Sequence, residues 1–155
     1  MAAPDNLQGH LPPQGRTATW LPMNEAAKTG RFQLQVCGQC QATQYPPREI
    51  CRECLSEELN WQERSAQGVV LAFSTVHISV EAYFREHGPW HIASVQLDGG
   101  PVLVTYLDQD CLESGAQVQV LNRLDVSGNA IFISIAAGGA GVLVDPLLRA
   151  LVQGG

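Results

Sequence analysis

Two cysteine pairs constrain this chain more than any other feature. Cys37 and Cys40 form one C-x-x-C unit, Cys51 and Cys54 form a second, and ten residues separate them. Each pair can close a tight turn that presents two thiolates to one ion, with backbone N–H groups donating to the sulfurs. Two such pairs supply four soft ligands in a tetrahedral arrangement, the donor set of zinc or iron. Two disulfides are the competing reading. The doubled pair weighs against them, as does a start, MAAPDNLQGHLPPQG, that lacks the basic-then-apolar order of a secretory leader. Availability and geometry favour Zn2+ over iron. Four protein ligands leave no open position for water or substrate. The site is therefore expected to be structural, adding folding free energy to a segment with little core of its own.

The remaining composition narrows the function classes. A chain of 155 residues suits one standard domain or two very small ones. Apolar residues make up 45%, as in ordinary globular proteins, whereas charged residues are only 15%. So few charges imply apolar surface that must be hidden, and a partner protein is one place to hide it. The net charge of −6 argues against a general nucleic-acid binder, which needs a basic footprint on the phosphates. No apolar run approaches the roughly 20 residues of a membrane span, and the expected location is the cytoplasm.

Along the chain, residues 1–18 are rich in Pro, Gly and Gln and read as a mobile tail. Residues 22–29 carry Pro22, Asn24 as a candidate cap, helix formers, and Gly30 as a stop, which predicts one short helix that must dock on something. RFQLQVC alternates like a strand into Cys37, and Leu59-Asn60-Trp61 reads as a short return strand. From Gly68 the pattern becomes five short β-rich runs at 68–77, 91–97, 101–107, 116–126 and 129–136. Most are separated by turn signals such as Asp98-Gly99-Gly100 and Ser127-Gly128-Asn129. That spacing predicts a small barrel or sandwich. After a flexible AGGAG joint, a last helix is expected near Asp145 with Pro146 in its first turn, and Val144, Leu147, Leu148 and Leu151 on one face.

Other residues invite chemistry without completing it. His77, His87 and His91 lie within 15 residues, but no Asp or Glu stands at a spacing that would build a metal site with them, and strand-end or loop histidines are the preferred reading. Cys111 stands alone in a polar stretch with no placed base. The glycine clusters neither follow a strand nor open a helix in the dinucleotide-binding manner. Trp20, Trp61, Trp90, Phe32, Phe73 and Phe84 read as core or interface anchors rather than base-stacking platforms, because basic residues around them are sparse. Arg48 and Arg52 flank the second cysteine pair and are the best local candidates for a phosphate contact.

The order of these features resembles a known family. A short helix, then GRFQLQVCGQCQATQYPPREICRECLSEELNWQERSAQGVVLAFSTVH, then PWHIASVQLDGGPVLVTYL, is similar to the zinc-ribbon and OB-fold proteins grouped as DUF35, over roughly residues 20–136. The resemblance implies a mainly β chain: a short N-terminal helix and a rubredoxin-like zinc ribbon, followed by a small five-stranded OB-fold barrel. The corresponding division is a flexible tail at 1–19, helix and ribbon at 20–66, the barrel at 67–137, and a joint with a C-terminal docking helix at 138–155. The family's metal ligands carry over as Cys37, Cys40, Cys51 and Cys54.

The resemblance also implies a role. DUF35 proteins are typically small partners of thiolase-like enzymes in acyl-CoA pathways, among them aromatic degradation, and generally have no complete active site of their own. The expectation is a non-catalytic, zinc-binding accessory subunit that stabilises a thiolase-type acyl-CoA enzyme and shapes its CoA entrance. The partner would be held through the helix at 22–29, the ribbon and the terminal helix. Arg48 and Arg52 are then candidate contacts to the CoA phosphates. The alternative class is a nucleic-acid-binding ribbon and barrel, against which the acidic balance and a single lysine, Lys28, both count.

Overall fold

The alternation in RFQLQVC does produce a strand, and the metal knuckles grow from its end. The computed structural model of the protein describes residues 11–154. After a 3-10 turn at Ala18–Trp20 and helix α1 (Leu21–Lys28), strand β1 (Gln33–Cys37) lies between β2 (Thr43–Gln44) and β3 (Leu59–Glu63) in an antiparallel sheet. Gln35 sits opposite both Gln44 and Trp61, and Cys37 opposite Leu59.

The second half is a closed barrel in the order β4-β5-β6-β8-β7. Its strands are β4 (Gln67–Val76), β5 (Trp90–Leu97), β6 (Val102–Leu107), β7 (Gln117–Leu124) and β8 (Ala130–Ala136). All pairings are antiparallel except β6 with β8. The five expected runs are thus the five barrel strands, shifted by a residue or two at their ends. Closure depends on Gly68, which lies opposite Leu97 on β5 and Val118 on β7. A Cβ there would stand 2.6 Å from the Gln96 carbonyl oxygen, so only glycine fits where the two neighbours converge.

Helix α1 begins beside Pro22 and stops at Gly30, whose φ of +69° closes the end. Asn24 is not its cap. It lies inside the helix and reaches the barrel, its Oδ1 accepting the Ala130 N–H at 2.7 Å. Met23, Ala26 and Ala27 are buried, and Asn122 on β7 donates to the carbonyls of Met23 and Arg31. The helix thus docks on this chain's own barrel, so its apolar face is not available to hold a partner.

The terminal helix α3 (Pro146–Leu151) starts as expected, capped by Asp145, whose carboxylate accepts the Leu147 N–H at 2.8 Å. Leu148 and Leu151 are buried and Leu147 partly so, while Val144 is exposed. This helix also packs inward, in a cluster with Tyr83, Trp90, Leu121, Ile133 and Ile135.

One further feature departs from the expectation: the loop between β4 and β5 holds a short helix, α2 (Ala82–His87). The short segment from Leu107 to Gly115 holds only a 3-10 turn at Gln109–Cys111. Of the tail, residues 1–10 lie outside the described residues. From there on it is tied to the barrel: the Pro12 carbonyl accepts from the Ser127 hydroxyl at 2.6 Å, and the Asn129 amide donates to the carbonyls of Pro13 and Gln14. Among the described residues, no helix is long and apolar enough to cross a membrane.

Candidate metal centre

The two knuckles are built alike. In each, the amide four residues on from the first cysteine returns to its carbonyl, Gln41 to Cys37 at 3.0 Å and Leu55 to Cys51 at 3.0 Å. In each, that closing residue takes a left-handed conformation, with φ of 64° at Gln41 and 63° at Leu55. Both are non-glycine residues in a region that costs about 1 kcal/mol or more, an expense the packed knuckle and its ion must offset. Within the turns, the amides of Gln39 and Cys40 point at the Cys37 sulfur at 3.4 and 3.5 Å, and the amide of Glu53 at the Cys51 sulfur at 3.4 Å.

The four sulfurs converge. Cys37 and Cys54 Sγ are 3.6 Å apart, as are Cys40 and Cys51 Sγ, and all four lie within 4.8 Å of one another. A tetrahedral zinc–thiolate site with bonds of about 2.3 Å has sulfur–sulfur edges of about 3.8 Å, so the arrangement fits the ion. Cys37 and Cys51 are buried, whereas Cys40 and Cys54 lie at the rim. The electrostatics match this division. The amides of Cys40 and Gln39 pull the Cys37 thiol down to about 6 against its burial, and those of Cys54 and Glu53 lower Cys51. An amide from Ala42 favours the Cys40 thiolate, but burial and the neighbouring sulfurs push this thiol up to about 12. The inner sulfurs are thus biased towards the thiolate and the outer ones, Cys40 and Cys54, towards the thiol; a bound dication displaces the remaining protons.

Two buried glutamines that the sequence reading passed over hold the intervening loop. Gln35 Oε1 accepts the Arg48 N–H at 2.8 Å, and its Nε2 donates to the Arg48 carbonyl at 2.9 Å. Gln44 Nε2 donates to Gln35 Oε1 and to the Ile50 carbonyl, while its Oε1 accepts the Arg52 N–H at 3.0 Å. The only hint in the sequence is their placement, polar residues within the short strands that flank the first knuckle. The backbones of Arg48 and Arg52 are therefore fixed and their side chains exposed. Arg52 Nε lies 3.2 Å from Glu53.

The other candidates are structural. His91 shares a hydrogen bond with Thr75, and His87 bonds the Tyr83 carbonyl while stacking on that ring. Cys111 is buried despite its polar surroundings, its thiol directed at the carbonyls of Asp108 and Ser134. Burial, aided by Asp110 and Asp108, raises it to about 12, the opposite of a nucleophile's thiol. The aromatic residues form two groups: Trp20 meets Tyr45 edge-on at 6.0 Å and Tyr45 and Phe32 both meet Phe132, joining ribbon to barrel, while Phe84 and Trp90 pack with Tyr83 of α2. Phe73 joins neither group and is exposed on β4.

A closed four-thiolate ribbon packed on a five-stranded closed barrel defines a zinc-ribbon and OB-fold protein with a structural zinc site. Family models agree: the rubredoxin-like zinc ribbon domain of ChsH2 matches residues 25–60 and the C-terminal OB-fold domain of ChsH2 matches residues 61–123. The chain belongs to the DUF35 family. A chain of the solved structure described as the Ltp2-ChsH2(DUF35) aldolase superposes with a TM-score of 0.66 at 25% identity, covering 79% of this chain and 98% of that one. A DUF35 protein of unknown function from Sulfolobus solfataricus superposes with a TM-score of 0.51 at 16% identity, over 74% of this chain and 84% of that one, which shows the shared fold. The comparison with curated proteins returned no match.

Proposed function

We propose that this chain is the zinc-binding, non-catalytic subunit of a thiolase-type acyl-CoA-processing complex, stabilising a thiolase-like partner and shaping its CoA entrance. The observation that carries this is the likeness to the ChsH2 chain of an aldolase that also contains Ltp2, a likeness spanning 98% of that chain. The geometry supports it. The metal site is closed by four protein ligands, Cys111 and His87 bond backbone carbonyls, and His91 bonds the Thr75 hydroxyl. Arg48 and Arg52 project from a loop whose backbone is clamped by Gln35 and Gln44. A rigid base of this kind suits guanidinium contacts to the phosphates of CoA.

The test is co-purification of the tagged full chain from its native host at moderate salt. The expected companion is a thiolase-like chain, identified by mass spectrometry. Recovery of this chain alone would defeat the proposal. Within the complex, Arg48→Ala with Arg52→Ala is expected to raise KM for the acyl-CoA severalfold at similar kcat; an unchanged KM removes the phosphate contact while leaving the subunit role.

A further inference from the structure

The outer face of the barrel carries a surface that neither the metal site nor the docked helices use. β4 is ten residues long but is paired on both edges only at its start. β5 follows it from Gly68 to Val76. β7 follows it only from Gln67 to Val69, and the last backbone bonds on that side join Val70 to Ala116 and Gly115. Among the described residues, no backbone pairs with this second edge from Leu71 to Val76.

The residues there are unlike those of a protected edge. From Leu71 to Val80 the sequence has no Lys, Arg, Asp, Glu or Pro, so the charges and prolines by which natural sheets blunt an open edge are missing, and the one irregularity is a bulge against β5 at Leu71. Leu71 and Phe73 are exposed, and the loop that follows presents Ile78 at 85% and Val80 at 94% exposure. Beside the edge lies a crease of about 290 Å³, lined by the small side chains of Ser74, Ala93 and Ser94 and by Phe73, Ile92 and Val104.

We propose that Leu71–Val76 receives an extended segment of the partner enzyme by strand addition, with an apolar partner side chain seated in the crease beside Phe73. This rests on the accessory-subunit reading above and names the surface it uses. An extended row of unpaired N–H and C=O groups is satisfied best by another strand. The uncharged run selects a strand of apolar and neutral polar residues, and the crease reads alternate side chains of that strand. A second copy of this chain fits less well, because each copy carries a net charge of −6 and self-association brings like charge together.

Hydrogen–deuterium exchange on the zinc-loaded chain, alone and bound to its co-purified partner, tests the idea, together with the variants Phe73→Lys and Val104→Lys. The outward amides between residues 71 and 76 are expected to exchange rapidly in the free chain and to slow by at least about tenfold in the complex. Each variant is expected to keep its zinc content and thermal midpoint and to lose at least about tenfold in partner affinity. If these amides exchange as fast in the complex as in the free chain, strand addition is wrong while the subunit role stands; the exchange measurement needs no variant, so misfolding of either one cannot shield the idea. Variants that fold and bind within about twofold of the wild type overturn it as well. If the wild-type chain binds no thiolase-like protein, both proposals fall. A concentration-dependent dimer of the isolated chain that Phe73→Lys dissolves would assign the edge to a second copy instead.

Discussion

Replacing Asp108 with alanine should release the C-terminal segment from the barrel. Asp108 is fully buried and bonds three backbone amides: Gln109 at 2.9 Å and Asp145 at 2.7 Å through Oδ1, and Val144 at 2.8 Å through Oδ2. Two of these donors belong to the approach to α3, so one carboxylate fastens a helix 37 positions further along the chain. Hydrogen bonds to a charged group contribute roughly 1.5–3 kcal/mol each, so three give a gross loss of at least about 4.5 kcal/mol. Removing the carboxylate also relieves its own desolvation, which offsets part of that; a net loss of about 3 kcal/mol remains. For a domain of this size that lowers Tm by roughly 6–12 °C. Asp108→Asn keeps the Oδ1 acceptor but sets an NH2 against the Val144 N–H, and should cost about 2 kcal/mol. Urea denaturation of the zinc-loaded protein measures both, and amide exchange at Val144 and Asp145 should accelerate in parallel. Asp145→Ala alone removes a helix cap worth about 1 kcal/mol and should cost less in the Asp108→Ala background, where α3 is already loosened. An Asp108→Ala loss below about 1 kcal/mol, or strict additivity of the two substitutions, would refute this account of the clasp.

Three further outcomes are expected. Removal of zinc by a chelator, or Cys37→Ser, should unfold the ribbon while the barrel strands persist; circular dichroism with zinc release measured by a colorimetric dye checks this, and a ribbon unchanged without metal would contradict it. Cys111 should resist alkylation in the folded protein at pH 8 and react once unfolded, because burial holds its thiol near 12. Since its folded value lies above the ordinary 9.0, its contribution to stability is complete below pH 9 and is lost as pH rises towards 12, which a pH series with Cys111→Ala as the reference would reveal. Gly68→Ala should destabilise by more than about 2 kcal/mol, because the added carbon must displace the Gln96 backbone; a loss under about 0.5 kcal/mol would show that the barrel closes more loosely than its geometry indicates.

Much of this architecture was legible because the physics is local. The cysteine spacing alone places four sulfurs around one ion, and period-two alternation with glycine turns marks all five barrel strands. What escaped reading depends on contacts distant in sequence. Cys111 looks exposed because Asp108 and Asp110 flank it, yet Asp108 turns inward to bind amides that lie over thirty residues away. Gln35 and Gln44 look like the polar face of two strands until their cross-strand register puts them beneath the loop between the knuckles. Helix α2 is too short for periodicity to declare itself, and it is held by Tyr83 and Phe84 packing around Trp90.

The same long-range contacts change where a partner must be sought. A low charge content and two short helices suggested that the helices were the docking elements. With Met23, Ala26 and Ala27 buried on one side and Leu148 and Leu151 on the other, both helices are spent on the barrel itself. Tyr45 and Phe32 then join the ribbon to the same core through Phe132, so zinc fixes the ribbon's orientation on the barrel as well as its fold. Exposed apolar side chains remain on the unpaired half of β4 and at Ile78 and Val80 beyond it, with others at Leu21, Leu55 and Val142, and the clamped ribbon loop adds its arginines. A partner that used both the β4 edge and the ribbon loop would sense the metal, because loss of zinc would release Arg48 and Arg52 without disturbing β4. Partner binding that weakens only partly on zinc removal, with the remainder abolished by Phe73→Lys, is the result this division of labour requires.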